Sequence, residues 1–92
     1  MATMSNKELI IQFVYGSLNK TYKNYTNNLF AFIINENRKI LKNYNAIICK
    51  KEGDTFYINK RYLHYSKTTQ KNINMLERFI VENGFLFEYV EF

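Results

Sequence analysis

The sequence predicts an α+β protein in which a small antiparallel sheet of three to four strands packs against two helices. Two segments, one near each end of the chain, place apolar residues at helical spacing. Four short runs of aromatic and β-branched residues between and after them are typical of strands. The turn signal Gly53-Asp54 separates two of these runs and indicates a hairpin. The 92 residues are expected to form a single domain, 1–92.

The first helix is predicted at about residues 6–15. Ser5 and Glu8 match a capping box, in which each side chain satisfies an exposed backbone donor near the other residue. Gly16 then provides a C-terminal stop. The apolar residues that fall on one face of this helix are Leu9, Ile10, Phe13 and Val14.

The polar stretch 17–28 repeats Asn and Lys and is predicted to be a long loop, with Tyr22 and Tyr25 available to hold it in place. The apolar run Leu29–Ile34 predicts a buried strand that ends at an Asn-rich turn. A helix over Leu29–Tyr44 is the alternative, since apolar residues recur near one of its faces. Its Asn-rich centre, however, is a poor helix interior.

Two further strands, Asn45–Lys50 and Thr55–Ile58, form the predicted hairpin. Gly53 in the turn between them can adopt positive φ. Cys49 is predicted to be a small buried residue of the first of these strands rather than a reactive thiol. A single cysteine excludes an internal disulfide and is typical of a reducing compartment.

The second helix is predicted to start at Thr68 or Thr69, to run to about Asn83 and to stop at Gly84. Its apolar residues at helical spacing are Ile73, Leu76, Phe79 and Ile80. The stretch Phe85–Phe92 then predicts a terminal strand. The residues expected to share one face of that strand are Phe85, Phe87 and Tyr89.

The formal net charge of +5 is unevenly distributed. Residues 1–76 carry a net charge of +8, and residues 77–92 carry −3. Such an asymmetry can present a basic face to a polyanion, or it can support head-to-tail association into a homo-oligomer. The abundance of Asn, Lys, Ile and Tyr is typical of an AT-rich genome, so part of the basic excess reflects codon usage.

Catalytic signatures are absent from the sequence. His64 is the single histidine and has no cysteine nearby, so it cannot build a zinc site. No close pair of carboxylates and no glycine-rich phosphate loop is present. We therefore expect a protein that is not an enzyme and holds neither a metal nor another cofactor. The apolar windows are too short to cross a bilayer, so we expect an intracellular protein with no membrane partner.

The passage from Asp54 to Met75 interleaves aromatic rings with basic side chains. Such rings can stack on bases while Lys and Arg neutralise phosphates. The helix start at Thr68-Thr69 adds free backbone N–H groups that suit an anion. The predicted binding surface consists of Tyr57, Lys60, Arg61, Tyr62, Tyr65, Lys67 and Lys71. The alternative is a solvated basic face in which some of the rings belong to the core.

The acidic and aromatic stretch Glu82–Phe92 is a second candidate surface. An exposed terminal strand can pair with another chain through its free edge. The alternative is that this strand closes the protein's own sheet.

The stretch Asn45–Leu76 resembles small, uncharacterised bacteriophage proteins, in which a hairpin is followed by a Tyr-Ser-basic-Thr-Thr segment that opens a helix. Asn45–Ile58 matches the hairpin and Tyr65–Thr69 matches the segment, so the resemblance covers about a third of the chain. It implies a phage or prophage origin and a location in the cytoplasm of a bacterial host cell, but no established activity. Phage proteins of this size often act as stoichiometric inhibitors of host machinery, CRISPR effectors included.

The expected function is that of a non-catalytic, phage-type accessory protein. It would bind a nucleic acid, or a nucleoprotein complex of the host, through the basic-aromatic surface. The alternative is a protein-directed inhibitor of host machinery or defence, similar in action to an anti-CRISPR protein. It would act on a host protein through an edge strand or an oligomer interface.

Overall fold

The computed structural model describes residues 4–92. Along these residues lie two helices, six strands and a short 3₁₀ turn at Lys60–Tyr62. The bounds are α1 Asn6–Tyr15, β1 Lys20–Asn24, β2 Leu29–Asn35, β3 Arg38–Asn43, β4 Ala46–Glu52, β5 Thr55–Asn59, α2 Lys67–Glu82 and β6 Leu86–Val90. The α+β class is confirmed, but the sheet has six strands where three to four were expected.

The strands lie in the sheet in the order of the chain, from β1 to β6. Strands β1 to β5 form an antiparallel meander, and β6 pairs in parallel with β5, aligning Leu86 with Thr55. A parallel pair needs a long crossover connection, and α2 provides it. The predicted antiparallel sheet is therefore a mixed one. The two helices pack against each other, α1 on β1 to β3 and α2 beside β6, so both cover the same face.

The core lies between the helices and the face of the sheet that they cover. The eight predicted helical core residues are buried: Leu9, Ile10, Phe13, Val14, Ile73, Leu76, Phe79 and Ile80. The Phe56 ring meets the Phe13 ring edge to face at 5.7 Å and the Phe85 ring at 5.5 Å. This chain of rings joins α1, β5 and the approach to β6.

The helix starts follow from their capping residues. Ser5 Oγ accepts the Glu8 N–H at 3.1 Å, which is one of the two hydrogen bonds of the predicted capping box. The start of α2 differs from the prediction, because Ser66 is its N-cap and its Oγ accepts the Thr69 N–H at 3.1 Å. Thr68 and Thr69, predicted as caps, lie inside the first turn.

Gly16 and Gly84 end the two helices as predicted, but for different reasons. At Gly16 the backbone is extended and its N–H donates to Gln12 O at 2.7 Å. A Cβ there would clash with Ile33 Cδ1 and with Gln12 O, so this close approach requires glycine at position 16. Gly84 follows the cap Asn83 with φ 72, a conformation that favours glycine.

Two of the strands, β1 and β3, were not predicted from the sequence. The predicted loop 17–28 contains β1, an edge strand in which only Tyr22 and Asn24 pack toward the core. The alternative helix over Leu29–Tyr44 is wrong, because that stretch forms β2 and β3. In β3 two of the three buried positions carry polar residues, Lys39 and Asn43, so the strand lacks the usual apolar alternation.

The terminal strand β6 closes the protein's own sheet. It covers Leu86–Val90 rather than the whole predicted stretch Phe85–Phe92. Phe87 pairs with Phe56 and faces the helices, and Tyr89 lies on the same side, where its hydroxyl donates to the Glu77 carboxylate on α2. The predicted shared face of this strand is therefore confirmed.

Candidate nucleic-acid interface

The sheet has one face that the helices do not cover. Because side chains alternate along a strand, every second residue projects from that face. In β2, Leu29, Ala31 and Ile33 are buried under the helices, whereas Phe30 and Phe32 are only half-buried. We call this surface the open face and define it by the side chains of Lys23, Phe30, Phe32, Ile40, Lys42, Lys50 and Tyr57.

A central row of side chains crosses four strands of the open face. Phe32 pairs with Ile40 and Ile40 pairs with Lys50. Lys50 in turn pairs with Tyr57. Directly paired residues have their Cβ atoms only about 5 Å apart, so the row is a continuous strip of rings and aliphatic carbon with one ammonium group.

A second row lies nearer the β1–β2 turn. Phe30 pairs with Lys23 on one side and with Lys42 on the other. The Tyr25 ring meets the Phe30 ring edge to face at 5.9 Å, and Lys23 Nζ lies 5.7 Å from the Tyr25 centroid. Cations therefore flank a pair of aromatic rings at this end of the open face.

A bulge in β4 places Lys50 on the open face. The pairing register between β3 and β4 shifts, so that Ile48 and Cys49 are both buried in succession. Without that extra residue, strict alternation from Ile47 would point Cys49 outward and Lys50 into the core. The bulge thus decides which side of the sheet receives the cation.

The predicted binding residues occupy two places. Tyr57 projects from the open face beside Lys50. The other six lie between β5 and the second turn of α2: Lys60, Arg61, Tyr62, Tyr65, Lys67 and Lys71. The structure therefore separates Tyr57 from the rest of the predicted set.

The 3₁₀ turn after β5 is anchored by Asn59. Its Oδ1 accepts the Arg61 N–H and its Nδ2 donates to Ile47 O, both at 3.1 Å. The rings of Tyr62 and Tyr65 meet edge to face at 5.3 Å, and the Tyr65 N–H donates to Tyr62 O at 3.2 Å. These contacts orient the two tyrosines relative to each other and to β4.

These two tyrosines border a cleft of about 640 Å³, which we call the tyrosine cleft. It lies where the β1–β2 turn, the β3–β4 turn and the start of α2 meet. The lining residues are Thr26, Asn27, Asn43, Tyr44, Asn45, Ala46, Ile48, Tyr62, Tyr65, Ser66, Thr68 and Thr69, all uncharged. Lys67 and Lys71 lie instead along a neighbouring shallow groove that also contains His64.

Two other lysines serve the fold. Lys39 Nζ donates to Val14 O at 2.9 Å, and Lys51 Nζ donates to Glu36 O at 2.6 Å. Burial lowers the pKa of both amines. Their inward positions keep these two charges away from the open face.

The side chains that could take part in catalysis or bind a metal lie apart from one another. His64 is exposed and its backbone N–H donates to Gln70 Oε1 at 2.7 Å. Burial raises the pKa of the Cys49 thiol. Within residues 4–92, no three His, Cys, Asp or Glu side chains are grouped so as to hold a metal ion. None of the helices that the structure describes has the length and apolarity to cross a membrane.

The sequence analysis missed the aromatic and basic residues of the open face other than Tyr57. The signal was present, since Phe30 and Phe32 occupy alternate positions of the predicted strand Leu29–Ile34. The run Leu29–Ile34 was predicted only as a buried strand, and no exposed face was assigned to it. Lys42 could not be assigned to a face of the sheet, because its strand β3 was not predicted.

Comparison with protein-family models, with curated proteins and with solved structures found no match to this chain. Its function is therefore inferred from its own geometry.

Proposed function

We propose that this chain is a non-catalytic protein that binds single-stranded nucleic acid on the open face of its sheet. The observation that supports this proposal is the central row, in which Lys50 stands beside Tyr57 and two strands away from Phe32. Rings and cations interleaved on one uncovered surface suit a polymer that alternates flat bases with phosphates.

The contacts divide between the two parts of the nucleotide. The rings of Phe30, Phe32 and Tyr57 offer faces or edges to unpaired bases, and stacking of this kind contributes about 1–3 kcal/mol per base. Lys42 and Lys50, in adjacent strands, supply ammonium groups for the intervening phosphates, and Lys50 Nζ lies 4.5 Å from the centroid of the Phe92 ring. A duplex would keep its bases stacked on each other, so the single-stranded form is the one that this surface suits.

The charge on the open face also gives the strand a preferred position. Glu88 of β6 pairs with Tyr57 and places a carboxylate at one margin. The cations Lys23, Lys42 and Lys50 lie on β1, β3 and β4. Repulsion at the β6 margin and attraction elsewhere favour a path across β1 to β5.

A phage-type accessory role is consistent with this surface. Single-stranded nucleic acid held by a host nucleoprotein complex presents the same bases and phosphates. A protein that covers them in the bacterial cytoplasm would act stoichiometrically and without chemistry.

The test is a titration of labelled oligonucleotides of about 12 nucleotides, within the site sizes typical of such surfaces, monitored by fluorescence anisotropy. Single-stranded DNA and RNA should bind more tightly than a duplex of the same length. Lys42→Glu should weaken binding and reduce the dependence of affinity on salt between about 50 and 200 mM. Lys7→Glu is the matched control, because Lys7 is exposed on α1 and the charge change is identical.

Two results would contradict the proposal. One is the absence of any oligonucleotide binding by the wild-type protein at about 50 mM salt. The other is an equal loss of affinity in Lys42→Glu and Lys7→Glu, which would show that only the overall charge matters. Thermal unfolding of each variant checks that the fold is retained.

The free edge of β6 favours a second candidate function. Leu86 is 63% exposed and Tyr89 is 44% exposed on a strand that lies at one margin of the sheet. A partner strand can add there, which is the mode expected of a protein-directed inhibitor or of a homo-oligomer. Apolar strand pairing persists as salt rises, whereas binding to phosphates weakens steeply, so a salt titration separates the two candidates.

A further inference from the structure

We propose that the tyrosine cleft holds one unpaired nucleobase and thereby makes binding base-selective. This inference rests on the proposed function, because it supplies selectivity to a strand that the open face binds. The cleft volume of about 640 Å³ lies within the range of small-molecule sites, roughly 300–1,000 Å³.

The lining chemistry favours a neutral, flat ligand. The rings of Tyr44, Tyr62 and Tyr65 border the cleft, and amide and hydroxyl groups complete the wall. Since no charged side chain lines it, a phosphate alone would find no cation inside. A base offers a ring for stacking and an edge of donors and acceptors for the amides and hydroxyls.

The floor of the cleft is preformed. Asn43 is 5% exposed, and its Nδ2 donates to the carbonyl oxygens of Asn27 and Asn28, both at 3.1 Å. Its Oδ1 accepts a hydrogen bond from Thr69 Oγ1 at 3.3 Å. One side chain therefore ties the two turns to α2, and the walls keep their spacing without a ligand.

The backbone around the cleft is held in an uncommon conformation. Among the described residues, the non-glycine residues with positive φ are Asn28 at 51°, Tyr44 at 55° and His64 at 60°. Asn28 and Tyr44 lie on the two turns that border the cleft, and His64 lies between the cleft residues Tyr62 and Tyr65. A bulky tyrosine is rare in this conformation, in which glycine or asparagine is less strained. The Tyr44 N–H donates to Asn28 O at 2.7 Å, which holds the turn and keeps its ring at the cleft.

The cleft mouth carries exposed rings. Tyr44 is 66% exposed and Tyr65 is 70% exposed. Aromatic side chains of this size gain free energy by covering an apolar ligand surface, and here they are left in water at the entrance of a cleft. Tyr65 can therefore close over a base without breaking a core contact.

The cleft and the open face meet at the turns. Tyr25 of the second row directly precedes Thr26, which lines the cleft, and Lys42 directly precedes Asn43. Because neighbouring residues of a strand project from opposite faces, Lys42 lies on the open face and Asn43 on the helix side, so a nucleic-acid strand on the open face reaches the cleft by passing around these turns. Lys67 directly follows the lining residue Ser66 and lines the neighbouring groove, so the rim between the cleft and that groove carries an ammonium group for the attached phosphate. That rim favours a nucleotide over an uncharged sugar.

The experiment compares affinities for four homopolymeric oligonucleotides. The wild-type protein should bind the homopolymer of one base most tightly. Tyr65→Ala should lower the affinity for that homopolymer about tenfold, so that the four affinities become similar. Tyr65→Phe keeps the ring and should keep the preference. Lys42→Ala on the open face should weaken all four homopolymers by a similar factor, which separates the cleft from the open face.

The outcomes distinguish the two proposals. Equal wild-type affinities, or a base preference that survives Tyr65→Ala, would overturn the nucleobase cleft and leave the open face in place. Binding of no oligonucleotide would overturn both. Chemical-shift changes at Tyr44 and Tyr65 on titration with neutral saccharides, and none with nucleosides, would assign the cleft to a sugar and also overturn the inference.

Discussion

The Lys39 side chain of β3 provides a hydrogen-bond donor for a carbonyl group at the C-terminal end of α1. Its Nζ donates to Val14 O at 2.9 Å. The last turn of α1 contains no basic residue of its own. A cation near the end of a helix is favourable because the free carbonyl groups carry partial negative charge. Burial, and then the nearby Lys51, lower the Lys39 pKa to about 8, while Glu36 acts in the opposite direction.

This lowered pKa makes stability depend on pH. Between about pH 8 and the ordinary value of 10.5, the unfolded chain binds more protons at Lys39 than the folded protein does. The free energy of unfolding that Lys39 contributes therefore rises with pH across that interval. Urea unfolding measures the free energy of unfolding of the wild-type protein and of Lys39→Met. The wild-type value should increase relative to that of the variant as pH rises. A difference that stays constant across the interval would contradict the assignment.

Three asparagine amides form a directed series of hydrogen bonds. The Asn27 N–H donates to Asn24 Oδ1, Asn24 Nδ2 donates to Asn6 Oδ1, and Asn6 Nδ2 donates to Asn72 Oδ1. Because a backbone N–H can only donate, it fixes the orientation of every amide that follows. The series ends at Asn72 Nδ2, which has no partner among the described residues.

The series predicts unequal effects at its two ends. Asn72→Leu removes an unsatisfied buried donor but also the acceptor of Asn6 Nδ2, and because these two effects oppose each other the free energy of unfolding should change by less than about 1 kcal/mol. Asn24→Leu leaves the Asn27 N–H without its acceptor and should cost about 1–3 kcal/mol. Chemical denaturation of the two variants measures both values. A larger loss in Asn72→Leu would contradict the direction of the series.

The two helix-terminal glycines should respond differently to alanine. Gly16→Ala brings a Cβ against Ile33 Cδ1 and the Gln12 carbonyl, and should cost about 1–3 kcal/mol. Gly84→Ala meets nothing within 4 Å and should cost only about 1 kcal/mol for its left-handed backbone. Adding Ile33→Val to Gly16→Ala removes one of the two clashes. The double variant should then regain part of the stability that Gly16→Ala loses. If it regains none, the contact with the Gln12 carbonyl accounts for the loss.

The basic 3₁₀ turn provides a further test on the predicted surface. Lys60→Glu with Arg61→Glu should weaken oligonucleotide binding strongly while the unfolding temperature stays unchanged, since both side chains are exposed. The matched double control is Lys7→Glu with Lys20→Glu, at two other exposed lysines. Unchanged affinity in the first double variant would remove this turn from the interface.

Sequence reasoning succeeded where local chemistry decides the structure. The capping residue Ser5 and the helical apolar pattern each predicted what is observed. It failed where tertiary contacts override the local pattern. Lys39 is a buried strand residue only because Val14 O lies opposite, and β1 is a strand only because β2 offers it an edge.

The candidate site was predictable in part for the same reason. Tyr62 and Tyr65, both members of the predicted surface, lie side by side because a short turn keeps them close. The open face depends on the register of four strands and on the bulge at Ile48, and no local pattern reports either. The turns around the tyrosine cleft also come from distant parts of the chain, so the cleft has no continuous sequence signature.

The parallel position of β6 has a consequence for folding. The five antiparallel strands β1 to β5 can pair one after another as they leave the ribosome, since a short turn joins each strand to the next. The outer edge of β5 must wait until all of α2 and β6 have been synthesised. During that interval the edge is open to the β6 segment of another nascent chain, and an exchanged dimer can form. We therefore expect exchange of β6 between chains to be favoured at high local concentration, and each chain to complete its own sheet on dilution.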